Sequence, residues 1–267
     1  MPLELTYHAS EPLPVELEGF TPDALRGEPL DAVRAFPAAI GNTAVSIGEL
    51  FRVAGDTADA DWRIAGDLSG VHWLGAGMAE GAIRVAGPVG RHTGSRMRGG
   101  AITIEGDAGD WLGAEMRGGR IEATGDAGHH LGAAYTGSPR GMRGGEILLR
   151  GAAGDYAGHT LRRGWITIAG GCGQYAGYRM KAGTLMVLGP CGPRPGAEMV
   201  RGTIGLFGAT PPLLPTFRHA CRIAPQFLAV MAKQLAGEGY TLPTNVDLWH
   251  GDLLTGGRGE LLLPVAE

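Results

Sequence analysis

Cysteine is scarce in this sequence. Only Cys172, Cys191 and Cys221 occur among 267 residues, which excludes a disulfide framework and suits a reduced, cytoplasmic setting. No run of eighteen or more apolar residues exists, so no membrane span is expected. No charged segment leads into an apolar one near the start, as a secretory signal would need. Aromatic residues make up only 6%. The excess of one sign of charge is small, a formal net charge of -4, and its acidity offers nucleic acid no general attraction. The motifs of hydrolytic chemistry are missing as well: there is no H-E-x-x-H, no C-x-x-C and no G-x-S-x-G.

Glycine, in contrast, is abundant at 48 residues, without the strict third-residue period of collagen. It punctuates a repeat that reads G-x-x-G-x-x-x-G-x-x-M-x-x-G-x-I-x-V-x-G. The closing glycines are Gly87, Gly106, Gly125, Gly151, Gly170, Gly189 and Gly208, spaced by 19 residues except for one interval of 26. The opening glycines, Gly81, Gly100, Gly119, Gly145, Gly164, Gly183 and Gly202, keep the same rhythm. A weaker copy is suggested by AVSIGELFRVAG at 44–55. The long interval contains a seven-residue insertion at 133–139, and the units beyond it resume in phase. Such an insertion must bulge from one coil as a surface loop, which makes Tyr135 and Arg140 candidate contact residues.

A glycine-rich unit of this length, without helix formers or an asparagine ladder, fits one coil of a β-helix. The expected fold is all-β: a right-handed parallel β-helix of about seven 19-residue coils. Residues 1–60 form an irregular N-terminal cap with a short helix, 61–208 the β-helix, and 209–267 a C-terminal cap with a helix at about 225–236 and a final strand. Apolar residues alternate after each opening glycine, as in Ile102/Ile104, Ile121/Ala123 and Ile166/Ile168, and should form inward columns. Met78, Met97, Met116, Met142, Leu161, Met180 and Met199 form another column, read as packing beside the glycine corners. The opposite strand face is polar early (Arg84, Thr103, Arg120, Glu122) and apolar late (Leu148, Trp165, Met186, Leu188, Phe207). The late half is covered either by the C-terminal segment or by another polypeptide.

Immediately after the methionine positions come Arg98, Arg117, Arg143, Arg162 and Lys181. Stacked in successive coils, five cations repel one another. They form either a solvated rim partly neutralised by carboxylates on adjoining turns, or a contact for an acidic partner or polyanionic ligand. Chemistry is otherwise hard to locate. Cys172 and Cys191 lie one period apart and read as structural. His92, Trp111 and His130 share one corner position, while Asp107 and Asp126 share another. No carboxylate pair stands out, so a pectinase-like enzyme remains only as the alternative from another class to a rigid scaffold protein.

The segments GDAGDWLG, GDAGHHLG, GAAGDYAG and GGCGQYAG resemble the β-helical domain at the C-terminus of the glutamate synthase large subunit. Together with the recurring M-x-x-G, the early GELFRVAG and the tail GRGELLLP, they make the whole chain similar to the family of C components of formylmethanofuran dehydrogenases. The resemblance implies one of two complexes. One is a tungsten or molybdenum enzyme that reduces carbon dioxide onto methanofuran. The other is a bacterial formyltransferase/hydrolase complex of methylotrophic one-carbon metabolism, which moves formyl from formyl-tetrahydromethanopterin to a methanofuran-like carrier and releases formate. The arginine-rich, lysine-poor composition favours the bacterial branch. By the same resemblance, hydrolysis belongs to an amidohydrolase-like, metal-bearing A component and transfer to a D component. The C component is then a structural companion of the A component and of the molybdopterin-enzyme-like B component, with no cofactor of its own. The basic column would meet an acidic sibling polypeptide or the glutamate-rich tail of the carrier; its size favours the polypeptide. No nucleic acid or membrane partner is implied.

Overall fold

Each opening glycine is followed by a short strand. In the computed structural model, which describes residues 1–9, 11 and 13–265, these strands are Ala82–Ala86, Ala101–Ile104, Arg120–Ala123, Arg143–Leu149, Arg163–Ile168, Thr184–Val187 and Arg201–Leu206. (The other four residues, Ser10, Pro12, Ala266 and Glu267, fall in the two expected caps and lie outside the description.) Every strand pairs in parallel with the strand of the next coil. The inward column is continuous: Ile83 pairs with Ile102, Ile102 with Ile121, Ile121 with Ile147, Ile147 with Ile166, Ile166 with Leu185, and Leu185 with Ile204, with one register shift, between Arg143 and Glu146 just before the column. The 26-residue interval therefore adds a loop without moving the ladder. On another side of each coil, Leu68, Val89, Ala108, Ala127, Ala153, Cys172 and Cys191 form a second parallel ladder of single bridges. One lap of chain per repeat, with like residues stacked, is a parallel β-helix.

The inward columns are dry. Ile83, Ile121, Ile166, Leu185 and Ile204 are fully buried, and Ile102 is 1% exposed. The methionine column has a specific reason. Gly119 adopts φ +87°, and a β-carbon there would meet Met97 Cε at 2.6 Å and the carbonyl of Gly100 at 2.7 Å. Each methionine thus packs under the opening glycine of the following coil, in space that any larger residue would fill.

The ladder runs past the repeat at both ends. Leu3–Tyr7 and Asp61–Ala65 extend it in parallel before the first unit, and Arg258–Pro264 extends it after the last. Antiparallel strands then finish the sheet: Phe51–Ala54 at one edge, Val246–Gly251 and Arg218–Ile223 at the other. The weak repeat copy at 44–55 is not a coil. Its S-x-x-E folds as a capping box, in which Ser46 and Glu49 satisfy each other around the helix Ile47–Leu50, and the strand that follows is antiparallel. The N-terminal end is covered by the helix Leu30–Ala35 and a small four-stranded sheet, with Phe20 packed on Trp62 at 4.6 Å.

The C-terminal helix Gln226–Ala236 lies across the late outward face. Leu228, Met231 and Leu235 pack with Leu148, Met186, Val246, Leu248 and Leu262, flanked by Trp165, Leu188 and Phe207. Of the two possible covers for this apolar half, the chain's own C-terminal segment occupies it.

Candidate functional site

Two features of the coil corners stand apart from the core. The first is a ladder of aromatic rings. Trp73, His92, Trp111, His130, Tyr156 and Tyr175 take the same turn position, each with φ between 61° and 66°. A left-handed backbone is unfavourable for such residues, and the stacking offsets it. Ring centroids are 4.1 Å apart for Trp73–His92 and for Trp111–His130, 5.3 Å for His130–Tyr156, and 5.1 Å for Tyr156–Tyr175. Burial, and then the neighbouring His129, lowers the pKa of His130; burial, with His130 and Arg179, pushes His159 down to about 4. These imidazoles serve as neutral rings in a stack. Among the described residues, no group of three or more His, Cys, Asp or Glu is placed to hold a metal ion.

Tyr135, on the insertion, does not reach outward as expected of a bulging loop. Its ring turns back onto the ladder, 4.9 Å from Trp111, under the Arg96 guanidinium at 5.2 Å. Its hydroxyl meets Ser95 Oγ at 2.7 Å and His92 Nδ1 at 2.9 Å. Burial pushes its pKa up to about 12. The loop is held a second time by Lys181, whose Nζ donates to the Pro139 carbonyl at 2.6 Å. Arg140 stays exposed at the tip.

The carboxylates of the turns are occupied in stacking the coils. Asp107 Oδ1 accepts from the Asp126 amide at 2.8 Å, Asp126 Oδ1 from Ala152 at 2.7 Å, Asp110 Oδ1 from His129 at 2.8 Å, and Asp155 Oδ1 from Gln174 at 2.9 Å. Each caps an amide of the next coil that would otherwise lack a partner. Cys172 and Cys191 are buried thiols with sulfurs 3.5 Å apart, stacked in the small-residue ladder.

The second feature is the basic edge. The column forms as a stack: Arg98, Arg117, Arg162 and Lys181 donate their amides to Met78, Met97, Met142 and Leu161 at 2.7–2.9 Å, and Arg143 donates to Met116. Arg98, Arg117 and Arg162 are exposed, Arg143 and Lys181 half-buried. The partial neutralisation expected of a solvated rim is absent. Among the described residues, none of the five makes an ion pair, whereas Arg84 pairs with Asp61, Arg96 with Glu115, Arg150 with Glu122 and Arg179 with Glu198. Several carboxylates of adjoining turns are committed elsewhere: Glu115 to Arg96, Glu122 and Glu146 to Arg120, and Asp155 to the Gln174 amide.

Three further cations of this edge lie outside the column that the repeat defines. Arg163 and Arg201 follow the column by one position, where earlier coils carry Gly99 and Gly118; that departure is a legible signal. Arg258 lies outside the repeat, and only pairing with Arg201 brings it there.

No helix of the described residues is long and apolar enough to cross a membrane. No protein-family model matches the chain, and no curated protein matches it in sequence. Among solved structures, the chain superposes on one from the formyltransferase/hydrolase complex (FhcABCD) of Methylorubrum extorquens in complex with methylofuran. The TM-score is 0.92, identity is 34%, and the match covers 98% of this chain and 100% of the other.

Proposed function

The chain belongs to the family of the formyltransferase/hydrolase complex chain that it matches from end to end, and from that premise we propose that it is the structural C component of such a complex. The full-length match at 34% identity carries this reading. In it, sibling polypeptides do the chemistry: the D component transfers formyl from formyl-tetrahydromethanopterin to a methanofuran-like carrier, and the A component hydrolyses it to formate at a metal. The chain itself is a rigid cytoplasmic prism that holds the A and B components in place. The side chains support a scaffold role, since the turn carboxylates cap amides and the histidines stack as neutral rings. The column Arg98, Arg117, Arg143, Arg162 and Lys181, with exposed Arg140 of the insertion, is the proposed contact with these siblings; Tyr135 supports that loop from beneath.

The test is purification of the native protein under mild conditions, identification of co-eluting chains, and assay of formyl release. An assembly of four different polypeptides without a redox metal is expected. A tungsten or molybdenum centre in the assembly would select the dehydrogenase branch. Catalysis by the isolated chain, on formyl carriers or on polysaccharide, would overturn the assignment. Charge reversal of Arg117, Arg143 and Arg162 together should weaken assembly at physiological salt.

A further inference from the structure

The strongest unexplained cost in the fold lies at the late end of the basic edge. Like charges directly opposite one another on adjacent strands destabilise a sheet. Here Arg201 and Arg258 are register partners, and Arg143 pairs with Arg163 beside a local register shift. Arg162, Arg163, Arg201 and Arg258 together line an open recess of about 490 Å³. All four are exposed, and among the described residues none has a carboxylate partner. The recess contains one acid, Glu260, and its Oε2 accepts instead from Thr203 Oγ1 at 2.7 Å. Acidic residues are not short in the chain, 27 against 23 Lys and Arg; they are placed elsewhere. Gly183 and Gly202 contribute bare backbone to its lining.

We propose that this recess is the anchor of a docking groove for an acidic polypeptide segment, with carboxylates seated on Arg162, Arg163, Arg201 and Arg258. Guanidinium forks bind carboxylates in a bidentate manner, which suits arginine rather than lysine at such a site. The groove continues along Lys181, Arg143, Arg117 and Arg98. At about 4.8 Å per coil, the row from Lys181 to Arg98 spans roughly 19 Å, the length of about six extended residues. The recess is half open to solvent and lined mainly by charged and polar groups, which suits a side chain delivered on a backbone better than a small molecule in an enclosed apolar pocket. The chain's net negative charge works against a nucleic acid duplex. The proposal rests on the reading of the chain as one component of a complex, which makes a sibling polypeptide the source of the segment.

The experiment uses the full chain and a fluorescein-labelled peptide of alternating Glu and Ser, followed by anisotropy. Binding is expected, weakening steeply with salt. Arg201→Gln with Arg258→Gln should reduce affinity by about tenfold or more, while Arg84→Gln, far from the recess and paired with Asp61, should leave it unchanged. In the free chain, Arg201→Gln alone should raise the melting temperature, because it removes the opposed charge; a lowered one, or failure to fold, would make these arginines structural and overturn the proposal. Equal binding of a Gln-Ser peptide would overturn it as well. So would displacement by tripolyphosphate or inorganic phosphate at matched charge, which marks a small-anion site, and so would tighter binding of single-stranded RNA. The two readings fail separately. Peptide binding by a chain that co-elutes with no partner sinks the complex and leaves the groove. A complete complex around a chain that ignores the peptide sinks the groove alone.

Discussion

The same outward strand position reads Arg63, Arg84, Thr103, Glu122 in the early coils and Leu148, Thr167, Met186, Gly205, Leu262 in the late ones. The first two are exposed and Thr103 and Glu122 are half-buried, whereas the later five are all buried. The inward positions beside them barely change. The repeat therefore specifies the core and the corners, while the outward face is left to whatever covers it. Solvent covers the early half, and the helix Gln226–Ala236 covers the late half. The seam between them is ionic. Arg120 bridges Glu146 at 3.2 Å and Glu238 at 2.9 Å, and Arg150 bridges Glu122 and Glu238 at 2.7 Å each. Charged groups at this position stop where the helix begins, and the ion pairs of Glu238 fasten its C-terminal end.

That contrast can be broken most directly by exchanging residues between the halves. Met186→Arg buries a charge beneath the helix and should cost more than about 4 kcal/mol in urea unfolding, or detach the C-terminal cap. Truncating the cover itself, Leu228→Ala, should cost about 2–4 kcal/mol, with amide exchange rising first in the late coils. Acid sharpens the comparison at the corner. His159 is held neutral in the folded chain, down to about 4, against 6.5 for the ordinary side chain. Its contribution is therefore complete above about pH 6.5 and is lost as pH falls from there towards 4. The loss is about 1–2 kcal/mol once the ring's partial exposure is allowed for, and His159→Phe should flatten that stretch of the melting-temperature profile. The smallest effect is expected from Arg84→Met, the reverse exchange. It forfeits only a partly exposed ion pair with Asp61 and should change stability by about 0.5 kcal/mol or less.

The coils are legible because a period repeated with fixed glycines leaves few architectures that can bury it. Gly113 shows why the glycine holds its place: it sits at φ +61°, and a β-carbon would meet Ile147 Cδ1 at 2.6 Å. The copy at 44–55 misleads because its strand imitates the repeat, whereas Ser46 and Glu49 act only on their neighbours and start a helix. The basic column is legible from register. That it lacks carboxylates is not, since pairing depends on where long side chains reach. Arg258 is the extreme case, separated from Arg201 by 57 residues and opposite it in space.

By itself, then, the sequence determined the lap length, the inward columns and the stacking of like residues at corners and edge, because each depends on spacing within one repeat. Tertiary structure alone decided that Tyr135 folds back, that the late face is covered by the chain's own helix, and that Arg201 and Arg258 stand opposed. Those contacts join segments with no shared period, so only the packed molecule could select them.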